Sequence, residues 1–108
     1  MKNKYGLIIN NQTICDSLIK ITNQVYKLLP YREEGKNWEL PLQTILVEVN
    51  GLFRLFPSLE KDLFPILCKL EGLNSIKSND NFFFFRRMIF DVLNLINGVL
   101  TNVRTIDE

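Results

Sequence analysis

The chain has 108 residues, enough for one domain whose core needs no disulfide or metal to hold it. With 46% apolar residues, 23% charged residues and a formal net charge of +1, it has no global drive toward nucleic acid or acidic membranes. It contains no histidine, which removes the commonest general acid–base, the Ser–His and Cys–His nucleophile pairs, and the usual zinc and di-iron ligand sets.

The N-terminal stretch MKNKYGLIINN has two lysines and a four-residue apolar run. That run is shorter than the roughly 7–15 residues of a signal-peptide core. No stretch of the chain approaches the ~20 apolar residues of a membrane span. Residues 5–12 read either as an extension of the first helix or as part of a loose N-terminal arm, 1–12, on a single domain spanning 1–108. In the next segment Ile14, Leu18, Ile21, Val25 and Leu28 recur every third or fourth position, predicting a helix over 13–29. Thr13 and Asp16 form a capping-box pattern, and Pro30 is expected to end the run.

The connector YREEGKNW (31–38) leads to a second helix, 37–56, with its apolar stripe at Trp38, Leu42, Ile45, Leu46, Val49, Leu52, Phe53 and Phe56. Asn37 as N-cap puts Pro41 in the first turn, where no intrahelical amide partner is needed. A third helix is expected over 58–72, started by Ser58, irregular at Pro65 and closed by Gly72. The polar loop NSIKSNDN (74–81) precedes a fourth helix, 80–104, capped by Asn79 or Asp80. Its stripe is Phe82, Phe85, Ile89, Val92, Leu93, Ile96, Leu100 and Val103. Four helices with short connections predict an all-α, compact four-helix up-and-down bundle.

Residues 82–85 are four consecutive phenylalanines, followed by Arg86 and Arg87. At about 100° per residue, Phe82 and Phe85 fall within about 40° of Ile89 on the core stripe. Phe83 and Phe84 fall about 120–140° away, on either side of a polar strip with Arg87 and Asp91. One reading folds the 74–81 loop and the N-terminal arm over these two rings. The other leaves Phe83, Phe84 and Arg87 as a partner-binding patch, with Asp91 one turn on, holding Arg87.

Glu48 lies at the edge of its stripe and is expected to pair with Arg32, Arg54 or Arg86. The connector either closes the bundle end with Trp38 or presents Tyr31, Arg32, Glu33, Glu34 and Trp38 as a second binding edge. Arg54, Arg86 and Arg87, with Lys61, are the candidate basic spot for a nucleic-acid backbone. Cys15 and Cys68, 53 positions apart and in no CxxC, read as small buried thiols, which fits a reducing cytoplasmic location. Off-stripe apolar residues (Leu40, Val47, Leu55, Phe83, Phe84, Leu95) exceed what one bundle covers, which points to a homodimer. No phosphate loop, dinucleotide fingerprint, cofactor motif or metal-ligand spacing appears, so neither cofactor nor catalysis is expected.

The succession VYKLLPYREEGKNWELPLQTILVEVNGLFRLF, LFPILCKLEGL and FFFFRRMIFDVLNLI resembles small helical proteins carried by bacterial phages and other mobile elements. Its most specific piece is LPYREEGKNWE. The resemblance implies a small non-catalytic regulator, such as an inhibitor of host defence, and carries no catalytic residue with it. Three functional classes stand: a helical module binding a protein partner, a helical small subunit of a nucleoprotein complex, or an enzyme, which would require clustered carboxylates in a pocket.

Overall fold

α1 (Asn11–Glu33) starts at Asn10, whose side-chain oxygen accepts the Gln12 amide at 2.7 Å. This cap sits ahead of the Thr13–Asp16 pair, and Asp16 instead accepts from the Gln12 side chain at 2.8 Å. Pro30 does not end α1, which runs three residues further. The proline is on the exposed side, so the carbonyl its missing N–H leaves unmatched lies toward water. The helix stops instead at Gly35, whose φ of 71° lets the Lys36 amide fold back to Tyr31 O at 2.8 Å.

The computed structural model describes residues 1–76 and 82–106, so the expected caps Asn79 and Asp80 lie outside the described residues. α2 (Glu39–Leu55) begins with Asn37 Oδ1 accepting the Glu39 and Leu40 amides at 3.0 and 3.4 Å, which places Pro41 in the first turn as expected. Phe56, extended before Pro57, ends it. A 3-10 turn (Pro57–Leu59) leads into α3 (Glu60–Asn74), and Ser58 makes no capping hydrogen bond. Gly72 does not close α3. It lies within the helix, where an added Cβ would stand 3.0 Å from the tip of Met88, so its role is close approach to the last helix. α4 spans Phe82–Arg104.

Among the described residues these four helices and the 3-10 turn are the regular elements, and each helix packs on its two chain neighbours, with α1 closing against α4. The diagonal pairs do not meet, which defines an up-and-down four-helix bundle measuring 45 × 22 × 19 Å. Leu18, Val25, Leu42, Ile45, Ile66, Leu70, Phe85, Ile89 and Val92 fill its axis, each at most 1% exposed.

Residues 1–9 are not a loose arm. They form a small hairpin in which Met1 and Ile9 exchange two backbone hydrogen bonds of 2.8 Å. Asn3 holds the tip, accepting the Tyr5 and Leu7 amides at 2.9 and 3.0 Å, and Gly6 turns the chain at φ 82°. The Lys4 amide reaches Leu55 O at 2.7 Å, and Asn11 reaches Ile106 O at 2.7 Å. The hairpin therefore closes the bundle end formed by the C-termini of α2 and α4. Of the two cysteines, Cys15 is buried, but Cys68 is exposed on the outer side of α3.

Candidate interaction surface

The four phenylalanines divide as helical geometry requires. Phe85 is completely buried and Phe82 is half-buried against it, with ring centroids 6.4 Å apart. Phe83 is 75% exposed and Phe84 54%. The N-terminal hairpin is at the opposite end of the bundle and does not cover them. From residue 77 to 81, the loop expected to fold over them lies outside the described residues.

Arg87 is exposed on the arc between Phe83 and Phe84. Asp91 does not hold it: the carboxylate pairs with Lys69 of α3 at 3.6 Å, because residue 91 lies on the α3 flank of α4. Arg86 meets a ring of its own helix, its guanidinium lying 5.3 Å from the centroid of Phe90. Phe90 in turn meets Tyr26 of α1 edge-on, 6.5 Å between centroids. Phe83 and Phe90 are seven residues apart on α4, and Ile19 and Tyr26 seven apart on α1, so each pair shares one helix face. All four are partly or largely exposed. The outer α1–α4 face is thus an aromatic strip ending in two arginines. Tyr26 and Phe90 are absent from the expected patch, although the seven-residue spacing was a signal for them.

Of the second expected edge, Trp38 joins the core, Tyr31 and Arg32 are half-buried, and Glu33 and Glu34 are exposed. Trp38 is 5% exposed and packs edge-on against Phe85 at 5.0 Å. The Arg32 guanidinium lies 4.5 Å from the Phe85 centroid and 5.7 Å from that of Trp38. Arg32 and Trp38 therefore close the bundle end. Tyr31 is half-buried with the Lys36 ammonium 5.7 Å above its ring. A 2.8 Å contact with Glu34 raises the pKa of Lys36, first through the hydrogen bond and then through charge.

The basic spot does not assemble either. The contact of Trp38 with Phe85 places the starts of α2 and α4 at one end, so Arg54 in the last turn of α2 is at the other end from Arg86 and Arg87. Glu48 pairs with Lys20 of α1 at 3.6 Å rather than with an arginine, because it faces the α1 side of α2. Of the off-stripe apolar residues, Leu55 and Leu95 are half-buried against the core, while Leu40 and Val47 are exposed. Among the described residues no three metal-ligating side chains converge, and no helix is long and apolar enough to cross a membrane.

No family model, curated protein or solved structure matches this chain.

Proposed function

We propose that this chain is a non-catalytic interaction module that binds a protein partner through the outer face of α4. Phe83, Phe84 and Arg87 form its centre, and Arg86, Phe90 and Tyr26 extend it toward α1. The observation that carries this reading is the exposure of Phe83 and Phe84 on a helix whose core stripe is already complete. Large rings beside arginines are the residue types that dominate protein interfaces.

Charge narrows the partner's chemistry. The N-terminal end of a helix already carries partial positive charge, and α4 adds Arg86 and Arg87 with no acid in its first turn. An acidic segment with apolar side chains, such as an amphipathic helix, complements both the rings and the cations. The resemblance to small proteins of phages and mobile elements supports a regulator that acts by occupying a host protein's surface, as an inhibitor of host defence would.

The test is the double variant Phe83→Ala with Arg87→Ala against the copurified partner. A desolvated aromatic or Arg anchor carries ~2 kcal/mol or more, so affinity should fall by about 30-fold or beyond. The thermal midpoint should stay nearly unchanged, since exposed substitutions usually shift stability by no more than ~0.5 kcal/mol. A collapsed midpoint would show that Phe83 is structural. Retention of nucleic acid that is steeply salt-sensitive and insensitive to Phe83 would replace this reading with the nucleoprotein one.

A further inference from the structure

We propose that the outer α2–α3 face takes a second copy of this chain in an antiparallel, two-fold dimer. This is a different surface from the α4 face. It carries two exposed apolar residues at different heights: Val47, 70% exposed and beside Glu71, and Phe64, 58% exposed and beside Glu60 and Lys61. The Phe64 ring leans on Phe53 of α2 at 6.5 Å, so the two helices present one continuous surface rather than separate ridges. Nearer the other end, Gln43 of α2 bonds Asn74 of α3 at 2.8 Å.

The identity of the occupant comes from charge. Glu39 stands at the end of the face formed by the start of α2, and Glu71 lines a groove beside Val47, Asn50 and Leu67. Arg54 and Lys61 stand at the other end, with Glu60 beside them. Among the described residues none of these five charges has an ion-pair partner. A two-fold axis midway between these two levels, near Cys68, sets Arg54 against Glu71 of the other copy and Phe64 against its Val47. A parallel arrangement would set like charges together. The surface is therefore complementary to its own reverse, which is what an isologous dimer requires.

Size sets the expected strength. Two helices about 25 Å long lying about 10 Å apart offer a face near the small end of the ~800 Å² per partner of stable complexes. Association should accordingly fall in the micromolar range. Cys68 sits near the middle of α3, one turn beyond Phe64 and exposed, and so reports on the axis.

Sedimentation of the full chain under reducing conditions should show a monomer–dimer equilibrium at micromolar concentrations. Val47→Asp should weaken it by about tenfold or more without changing the circular dichroism spectrum. Arg54→Glu should also weaken it, and adding Glu71→Arg in the same chain should restore it, which a merely structural role would not produce. A short bis-maleimide should join Cys68 to Cys68, and Cys68→Ser should abolish the product. A monomer mass throughout overturns the proposal, as does a dimer indifferent to Val47→Asp or a charge swap that fails to restore association. Loss of the dimer in Phe83→Asp alone would assign self-association to the α4 face instead. None of these outcomes depends on whether a protein partner is captured.

Discussion

Phe85 and Phe84 are chemically identical neighbours with opposite duties. Phe85 is fully enclosed, with Trp38 edge-on at 5.0 Å and the Arg32 guanidinium at 4.5 Å. Replacing it by alanine leaves a cavity and strips two partners at once, so Phe85→Ala should cost ~3–5 kcal/mol in urea unfolding. Phe84→Ala, on the outer side, should stay within ~0.5 kcal/mol. The division between these rings was legible in the sequence because it depends only on the angle around one helix. The place of Arg32 and Trp38 was not, since a cation lying on two rings from other elements is a product of tertiary packing. The same limit explains Asp91 and Glu48: spacing named one-turn neighbours or arginines, and facing helices supplied Lys69 and Lys20. The Lys36–Glu34 pair is local and solvent-exposed. Because the pKa of Lys36 is raised, its contribution is fully present below 10.5 and is lost as pH rises through the raised value. Screening keeps that contribution small.

At the scale of elements, apolar periodicity located all four helices, and the errors lay at their ends: the caps Thr13 and Ser58 and the terminators Pro30 and Gly72. Pro30 removes one hydrogen bond of its own helix, a loss that water can offset on an exposed turn, and the helix ended at the next residue able to take positive φ, Gly35. Gly72 has a terminator's composition but a spacer's position, because Met88 occupies the space its side chain would take. Gly51 and Gly98 have neither role. Both lie inside helices, and an added Cβ would meet nothing within 4 Å. Alanine at either site should therefore stabilise the protein by ~0.5–1 kcal/mol, through helix propensity and a less flexible unfolded chain. Gly72→Ala should gain less, because part of the same propensity is spent moving the Met88 tip by a few tenths of an ångström. Chemical unfolding of the three variants side by side checks the ordering. Equal gains at all three would show that α3 and α4 approach less closely than described.

For the whole molecule, the arrangement of faces decides how its surfaces can act together. The aromatic strip with Phe83, Phe90 and Tyr26 belongs to the α1–α4 side, whereas Val47 and Phe64 belong to the α2–α3 side. These are opposite sides of a four-helix square, so occupying one leaves the other open. The hairpin of residues 1–9 closes one end, with its own Tyr5, Leu7 and Ile8 turned outward, and Trp38 with Arg32 closes the other. If both side faces are used, the dimer carries two α4 patches pointing away from each other and should bind two partner chains. The expected complex at concentrations above dimer dissociation is 2:2 by light scattering. Dilution should yield 1:1 without loss of affinity per site, since the two surfaces share no residue and substitutions well apart act additively. Phe83→Ala with Arg87→Ala should then return a free dimer, and Val47→Asp a 1:1 complex of undiminished affinity. A Val47→Asp chain that also loses its partner would show that binding needs both copies, placing the partner across the dimer rather than on each α4.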